Sequence, residues 1–592
     1  MDSSVESRVL VLYTGGTIGM TRNSDGDLVP VENYFSQAVR RNTILNDADY
    51  EAKTQKTYAL PLSHDHTTRV LYFICEYSPL IDSSNITVQD WQKLAGDIED
   101  NYKDYNGFVI VHGTDTMAYT ASALSFMFEN LGKPVILTGS QIPLEETLSD
   151  GTGNLLGAVY LAGNYPTISE VTLYFDYKLF RGNRVTKLVN NELNAFGSPN
   201  LDPLVRMEID VVVDWDSILQ PKSIEKFKVF TNLNCNVGLL RLFPSITVET
   251  VRSFLKKPMQ GVVLQTYGAG NGPSDREEIL AVLEEASDRG VLILNCSQCI
   301  KGVVSDSYET GSALIKAGVI PGADINPEAG LAKLSYVLNK EKTTNCQKIL
   351  LQRNLRGEIR VSKVNNFSLK DSKFIQAIVD TLEIANSQEV KSVSTTLLPV
   401  LMCAAAQNGD LNLLKQYASK GGNLSRCDYD KRTPLHMAVC EGHVDIVKYL
   451  VESGCSIYAK DRFGNTPFVE SLRYRNIEVI ELIKQAGGHS TPEMSQKILS
   501  LMKHAIEIGD VDGLKAFHIA EVDFNTSDET GRTALHRAVE LQKTECIKYL
   551  LDNGANIDAS DTEGLTPLGL SQNSSSEDIS ALLMSYSNGS RL

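Results

Sequence analysis

Val9-Leu10-Val11-Leu12-Tyr13-Thr14-Gly15-Gly16-Thr17-Ile18-Gly19 decides the fold. An apolar run ends on a Gly-Gly turn flanked by threonines. A run this short, stopped by glycine and without polar alternation, reads as a strand buried on both faces, as parallel sheets require. About a hundred residues on, the pattern returns: Phe108-Val109-Ile110-Val111 leads into His112-Gly113-Thr114-Asp115-Thr116-Met117-Ala118-Tyr119-Thr120. Ligands of open α/β sheets bind beyond the carboxyl ends of strands. The two hydroxyl-rich loops are therefore expected to meet at one mouth, with Thr17, Thr114 and Asp115 as candidate site residues.

Outward from these loops the chain alternates strand and helix. An amphipathic helix is predicted over 88–102, a strand over 108–112 and a helix over 116–130. Leu131-Gly132-Lys133-Pro134 stops that helix and opens a strand at 135–138, which exits through Gly139-Ser140-Gln141. This rhythm predicts βαβ units and a parallel sheet. A less regular stretch around 206–226 precedes a second α/β segment from about Val229, with strands at 261–265 and 291–295. Tyr267-Gly268-Ala269-Gly270-Asn271-Gly272-Pro273 turns between them. A helix-like run over 368–384 closes this part, and 386–398, rich in Ser, Thr and Val, reads as a linker.

The last two hundred or so residues repeat. Thr433-Pro434-Leu435-His436-Met437-Ala438 returns as Thr466-Pro467-Phe468, as Thr533-Ala534-Leu535-His536-Arg537-Ala538 and as Thr566-Pro567-Leu568, at spacings of 33, 67 and 33 residues. The middle spacing is two periods plus one residue, so a degenerate unit near Ser500 fills it. Proline suits the first turn of a helix, and Asn553-Gly554-Ala555-Asn556 supplies a turn between units. Period and T-P-L-H-x-A string resemble the ankyrin repeat. Residues 399–426 read as a degenerate first unit, about five or six in all, enough to stack a shared core. The expected organisation is an N-terminal α/β domain over 1–215, a second α/β domain over 216–385, the linker 386–398, and an all-α repeat solenoid over 399–592. Its protein partner is left open, because such surfaces bind whatever their exposed loops fit.

A chain of 592 residues is too long for one core. With 73 acidic against 56 basic residues, the net charge of -17 opposes nucleic acid or an anionic membrane as main partner. No apolar stretch reaches the length of a spanning helix, and the polar, acidic start Met1-Asp2-Ser3-Ser4-Val5-Glu6-Ser7 is unlike a signal peptide. The 10 scattered cysteines fit a reducing compartment. The expectation is a cytoplasmic protein. Cys296-Ser297-Gln298-Cys299 has C-x-x-C spacing but lacks the second pair a zinc site needs, and it follows a strand, so buried thiols are expected there. His64-Asp65-His66 reads as loop rather than ligand set.

A threonine hydroxyl is a weak nucleophile that needs a base and a carbonyl held close. Gly15-Gly16 lets the backbone before Thr17 approach a small ligand. A lysine base must be desolvated enough to be neutral part of the time; Lys187, in Arg181-Gly182-Asn183-Arg184-Val185-Thr186-Lys187, is the candidate. Asp82-Ser83-Ser84-Asn85 offers hydroxyls and backbone N–H groups to a carboxylate. Singly, each residue has a plainer reading: Thr17 and Asp115 as helix caps, Lys187 as a surface lysine, Ser83 and Ser84 as turn residues. The ordered set reverses those odds for Thr17, Asp115 and Lys187, while Ser83 and Ser84 stay nearly even between ligand binding and turn formation.

In order, T-G-G-T-I-G, D-S-S, H-G-T-D-T-M-A-Y-T-A-S-A-L, T-G-S-Q-I-P, R-G-N-R-x-T-K and Y-G-x-G-N resemble the bacterial-type L-asparaginase family, closest to its cytosolic type I branch, over residues 8 to about 365. With the repeats appended, the whole chain resembles the animal asparaginases that also carry a 60 kDa lysophospholipase label. The resemblance implies a two-domain, parallel-sheet α/β fold ahead of the ankyrin solenoid. It implies that Thr17 attacks the side-chain amide of L-asparagine to form an acyl-enzyme, ammonia leaving first and water then releasing aspartate. Thr114 and Lys187 would form a second hydroxyl–amine pair, with Asp115 orienting the lysine and binding the substrate ammonium. Asp82, Ser83 and Ser84 would complete the substrate site, the serines holding the α-carboxylate, and N–H groups near Thr114 would form an oxyanion hole. No metal or organic cofactor is implied. A homodimer or homotetramer is, because related sites borrow residues across subunits.

The sequence departs from that family in its lid. Asn23-Ser24-Asp25-Gly26-Asp27-Leu28-Val29-Pro30 has Asp27 and Leu28 where relatives often carry a tyrosine that supports the nucleophile. Tyr34 lies farther on; Tyr308, in Ser307-Tyr308-Glu309-Thr310-Gly311, matches a tyrosine of animal-type relatives and is expected to fill the role. Some type I enzymes bind asparagine at an allosteric site, but Gln265 stands where a bacterial relative has arginine, so the resemblance does not carry that property over. Two other functions compete. A lipid hydrolase is suggested by the label alone, without the G-x-S-x-G elbow of a common lipase type. A weakly active ankyrin scaffold is opposed by the intact threonine, aspartate and lysine set.

Overall fold

The structure is a computed structural model that describes residues 5–54, 58–62, 68–215, 217–221, 223–304, 309–360, 387–419, 422–573 and 577–589. Internal packing divides the chain into two units, one of residues 1–220 with 227–365, the other of 221–226 with 366–592.

The first unit opens with a nine-stranded sheet: β1 (Val5–Tyr13), β2 (Tyr58–Ala59), β3 (Thr68–Glu76), β4 (Gly107–Val111), β5 (Val135–Thr138), β6 (Val171–Phe175), β7 (Lys178–Arg181), β8 (Val205–Met207) and β9 (Val211–Val213). Their order is β9-β8-β7-β6-β5-β4-β1-β3-β2. The five central strands, β6-β5-β4-β1-β3, are parallel, and the strands outside them are antiparallel. Val9, Val11, Tyr13, Val109 and Val111 pack with Leu155, Ala158 and Val159 of helix Gly151–Asn164. The intervening Leu10, Leu12, Phe108 and Ile110 are buried too. Both faces are covered, which is why these runs show no polar alternation. The stretch that looked least regular begins with the β8–β9 hairpin that extends the sheet.

Chain order reverses at β1, with β3 on one side and β4 on the other. The carboxyl ends of β1 and β4 thus flank the switch point where sheets of this kind bind ligands. Tyr13 pairs with Val111, so the two threonine loops leave the sheet at one level.

A second sheet is parallel throughout, in the order β10 (Val237–Arg241), β11 (Gly261–Thr266), β12 (Leu292–Ser297), β13 (Ile320–Pro321). Helix Pro327–Lys340 begins where Asn326 accepts the Ala329 N–H, with proline in its first turn. It packs against this sheet and against helix Met117–Met127 of the first domain. That helix is buried at nearly every position, so its sequence shows almost no amphipathic signal.

The helix-like run over 368–384 lies outside the described residues. The stretch read as a linker, 386–398, is instead helical from Ser387, the start of helix Ser387–Gln407 with Pro399 inside it. Serine, threonine and valine lower helix propensity by only tenths of a kcal/mol each, about 0.7 at most. Burial of Leu398, Met402, Ala405 and Ala406 in the repeat core outweighs it.

Among the described residues, the second unit forms six consecutive helix pairs. They are Ser387–Gln407 with Leu411–Ser419, Pro434–Glu441 with Val444–Glu452, Pro467–Tyr474 with Ile477–Gln485, Ser495–Ile508 with Val511–Ile519, Ala534–Glu540 with Thr544–Asp552, and Pro567–Asn573 with Glu577–Gly589. One apolar core runs through them from Leu398 to Leu583.

The recurring histidine joins one repeat to the next. His436 Nδ1 accepts the Thr433 N–H (3.1 Å), leaving Nε2–H to donate to the Asn465 carbonyl of the following repeat (3.1 Å). His536 does the same between the Thr533 N–H (3.2 Å) and the Leu565 carbonyl (3.2 Å). Burial lowers the His436 pKa to about 4, so the ring is neutral. The joints on either side of the fourth pair lack this histidine and carry ion pairs, Lys460 with Glu493 (2.6 Å), Arg475 with Asp510, and Lys503 with Asp528; ion pairs also span the histidine joints, Asp430 with Arg462 (2.7 Å) and Asp561 with Arg532 (3.1 Å). Among the described residues no helix is long and apolar enough to cross a membrane.

Candidate active site

Three glycines decide how the threonine loops meet. Gly15 (φ +132°) and Gly16 (φ +98°) hold backbone conformations that other residues rarely adopt. A Cβ on Gly15 would lie 2.4 Å from the Ile81 carbonyl oxygen, and one on Gly16 would lie 2.6 Å from both N and Cα of Gly113. A Cβ on Gly113 would lie 2.5 Å from Ser83 Oγ. The loops after β1, β3 and β4 therefore touch backbone to backbone. Thr14 N–H donates to the Val111 carbonyl (3.0 Å), Ile81 N–H to the Thr14 carbonyl (2.7 Å) and Thr116 Oγ1 to the Ser83 carbonyl (2.7 Å). This contact brings Thr17, Ser83 and Thr114 to one mouth.

The plainer readings of these residues fare unevenly. Thr17 opens a short 3₁₀ turn whose cap is Gly16, and among the described residues its hydroxyl has no hydrogen-bond partner. Asp115 does not cap the following helix, whose N-cap is Thr116. Asp82 does shape a turn: its Oδ1 accepts the Ser84 N–H and Oγ–H, both at 2.9 Å. Ser83 is buried, while Asp82 and Ser84 are exposed.

Lys187 joins this group from farther along the chain. Its Nζ donates to Thr114 Oγ1 and to Asp115 Oδ1, each at 2.8 Å, and the Thr114 hydroxyl donates in turn to Gln141 Oε1 (3.2 Å). The Lys187 side chain is 19% exposed and that of Asp115 71%, so the carboxylate keeps acceptor capacity open to a ligand.

The segment before Lys187 is clamped onto the second domain. Arg184 forms an ion pair with Asp324 (2.5 Å), the two side chains being 3% and 1% exposed. Asn183 Nδ2 donates to the Arg356 carbonyl (2.8 Å) and Thr186 Oγ1 to Glu328 Oε1 (2.6 Å). Loop 354–358 is itself held by Glu358, whose carboxylate accepts the Leu355 and Arg356 N–H groups and pairs with the fully buried Lys333 (2.6 Å). After β6, the antiparallel β7 and the turn Gly182–Arg184 deliver Lys187.

Among the described residues, the backbone N–H groups of Gly16, Thr17, Gly113, Thr114 and Asp115 have no hydrogen-bond acceptor. Unpaired N–H groups at the ends of two strands form a cradle for negative charge. The sequence did not single out His112, Trp91, Thr120 and Gln141: the first three form a hydrogen-bonded chain ending on the Gly113 carbonyl, and Gln141 accepts from the Thr114 hydroxyl. His112, Thr120 and Gln141 stand inside quoted motifs; nothing local marks Trp91.

The segment that the resemblance marks as a lid forms a hairpin, Met20–Arg22 against Leu28–Pro30, with an exposed turn in which Asn23 Oδ1 accepts the Asp25 and Asp27 N–H groups. Arg22 pairs with Glu146 (3.1 Å). Tyr34 donates its hydroxyl to the Glu145 carboxylate. Tyr308 lies outside the described residues, as does His64-Asp65-His66. Cys296 is fully buried in β12, where burial pushes its thiol up to about 12, and Cys299 is exposed. Among the described residues no cluster of His, Cys, Asp and Glu could hold a metal.

Comparison with known proteins gives three family matches: asparaginase, N-terminal, over residues 8–219; glutaminase/asparaginase C-terminal domain over 236–350; and ankyrin repeats over 401–492 and 501–591. A protein named L-asparaginase from Dirofilaria immitis is 44% identical over 569 residues, covering 95% of this chain and 96% of its own. One named 60 kDa lysophospholipase from Mus musculus is 39% identical, covering 92% and 96%. The crystal structure of L-asparaginase I from Vibrio cholerae superposes with a TM-score of 0.53 at 43% identity, covering 60% of this chain and all of that one.

Proposed function

This chain belongs to the asparaginase family, and from that premise we propose that it hydrolyses the side-chain amide of L-asparagine through a Thr17 acyl-enzyme. Thr17 Oγ attacks the amide carbon, the C–N bond breaks, and ammonia leaves carrying the proton from the threonine. Water then adds across the ester, its oxygen entering the aspartate carboxyl and a proton returning to Thr17. Lys187 moves protons through Thr114, held by Asp115. The oxygen that becomes negative in each tetrahedral intermediate is met by unpaired N–H groups of the two loops. The open carboxylate of Asp115 takes the substrate ammonium, and Asp82, Ser83 and Ser84 complete the cradle for its carboxylate end. Tyr308 supports the nucleophile in this reading, since Tyr34 is engaged by Glu145.

One observation carries the reading. The Gly16–Gly113 contact joins the two threonine loops at the sheet's switch point, with Lys187 bonded to both Thr114 and Asp115 at 2.8 Å. Two bonds from one amine give a hydroxyl–amine–carboxylate set that structural stability alone does not call for.

Ammonia release from L-asparagine and L-glutamine, wild type against Thr17→Ala, tests it. The expected result is asparagine turnover that disappears in the variant; a folded wild type without turnover refutes the reading. A second reading, hydrolysis of a lysophospholipid ester, rests on the name of the mouse relative. Fatty-acid release from lysophosphatidylcholine would support it. A scaffold of little activity would turn over neither.

Further parts of the proposal are a homodimer or homotetramer and a protein ligand for the repeats, both resting on family resemblance. A cytoplasmic location is supported by ten cysteines that are all free.

A further inference from the structure

A directed chain of hydrogen bonds runs beneath the second threonine loop. Trp91 Nε1–H, from helix Val88–Asp100, donates to Thr120 Oγ1 (2.9 Å). Thr120, fully buried in helix Met117–Met127, meets His112 Nε2 (3.0 Å), and His112 Nδ1 meets the Gly113 carbonyl oxygen (2.7 Å). The chemistry of the two ends fixes each proton. A carbonyl oxygen only accepts, so Nδ1 carries hydrogen; an indole N–H only donates, so Thr120 receives it and turns its own hydroxyl proton toward Nε2. His112 is 1% exposed, and burial lowers its pKa to about 4, which keeps the ring in this uncharged form at neutral pH.

The chain ends on a peptide that borders the site. In a trans peptide the C=O and the following N–H point in opposite directions. A Gly113 carbonyl held against His112 turns the Thr114 N–H away from the ring. That N–H is one of the groups without an acceptor among the described residues. Glycine leaves this peptide free to rotate, so its orientation needs an outside hold.

We propose that His112 is a positioning residue: fixed as the Nδ1–H tautomer by Trp91 and Thr120, it holds the Gly113–Thr114 peptide so that the Thr114 N–H is aimed at the amide oxygen of the substrate in the tetrahedral intermediate. The proposal rests on the amidohydrolase reading above. It separates His112 from the residues that touch substrate, and it gives Trp91 and Thr120 a part in the reaction from a distance.

Two substitutions at His112 keep opposite halves of the chain. His112→Asn places an amide N–H near the Nδ1 position and keeps the donor to Gly113. His112→Gln reaches the Nε2 position, keeps a partner for Thr120 and leaves the Gly113 carbonyl without a donor. A packing role favours glutamine, the closer in volume; a positioning role favours asparagine. Losing one donor to an oxyanion costs about 10²–10³ in kcat. His112→Gln is therefore expected to lose about 100-fold in kcat with KM changed less than about threefold, and His112→Asn to stay within about tenfold of wild type.

Thr120→Val keeps the side-chain shape and removes the hydroxyl that fixes the tautomer. It is expected to lower kcat by about tenfold with KM unchanged, and it decides the matter if the His112 variants do not fold. Equal kcat for the Asn and Gln variants of an active enzyme, a loss confined to KM, or a Thr120→Val enzyme as fast as wild type each overturns the proposal. A folded wild type that releases no ammonia from asparagine removes the underlying reading, and this one with it.

Discussion

Gly16→Ala tests the contact on which the site is built. Two costs are separable. The first is conformational: alanine at φ +98° sits in a region that L residues avoid, at about 1–3 kcal/mol. The second is steric. The new methyl would start 2.6 Å from the backbone of Gly113, and ordinary contact begins near 3.4 Å, so the two loops must separate by about 0.8 Å. Neither neighbour is a flexible side chain that could swing aside. Thr17 is the next residue on one loop and Thr114 the next on the other. A misplacement of about 1 Å in a positioned group costs about 10²-fold in rate. Gly26→Ala is the control, because its φ is also positive (+90°) but nothing lies within 4 Å of its Cβ. Steady-state ammonia release, with thermal melting of each variant, is the assay. Gly16→Ala is expected to lose about 100-fold or more in kcat/KM while remaining folded. Gly26→Ala is expected to keep most of its activity and to lose only the conformational part of the stability, about 1–3 kcal/mol. A Gly16→Ala enzyme within about threefold of wild type would show that the loops do not need this contact, and the account of the site would fail.

Asp324→Asn strands the Arg184 guanidinium in the interior and is expected to cost about 3–5 kcal/mol in urea unfolding, with a fall in kcat because Arg184 carries the segment that delivers Lys187. The exposed Arg22–Glu146 pair supplies the contrast: Arg22→Met is expected to cost under about 1 kcal/mol, and equal costs for the two would refute the assignment. The second unit is expected to weaken in acid. The folded His436 resists protonation down to about 4, whereas the unfolded ring binds a proton near its ordinary value of 6.5. The stabilisation is therefore whole above about pH 6.5 and is lost as pH falls toward 4, by on the order of 3 kcal/mol. Hydrogen exchange over residues 433–470 of the full chain, at pH 7 and pH 4.5, reads it; an identical pH response in His436→Gln would remove the histidine as cause.

What was legible in the sequence was local. The strands at both threonine loops, the Thr-Pro starts of the repeat helices and the order of the motifs follow from periodicity, glycine and proline, each acting within a few residues. Thr17, Thr114 and Asp115 could be nominated from the strand ends they follow, Lys187 and Ser83 from their amine and hydroxyl chemistry, and their roles from the family resemblance. What Gly16 is small for could not, because its neighbour is Gly113, nearly a hundred residues away. The clamp of Arg184 on Asp324 spans 140 residues and leaves no periodic trace. Trp91 looks like any amphipathic-helix aromatic until its N–H is followed to Thr120. The segment from Ser387 was read as linker because its residues are weak helix formers; it is helical and runs on into Leu398, Met402, Ala405 and Ala406, which are buried in the repeat core.

The joints of the repeat array draw on two different materials, and the histidine joints hold both, since Asp430 pairs with Arg462 and Asp561 with Arg532 across them. Where His436 and His536 bridge, the bond is between uncharged groups and indifferent to salt. Where Lys460, Arg475 and Lys503 bridge, it is an attraction between partly exposed ions, which mobile ions weaken. Acid therefore loosens the joints that hold a histidine, whereas high ionic strength weakens the ion pairs that all four of these joints carry. A stack that looks uniform in its helices has seams that part under different solvents.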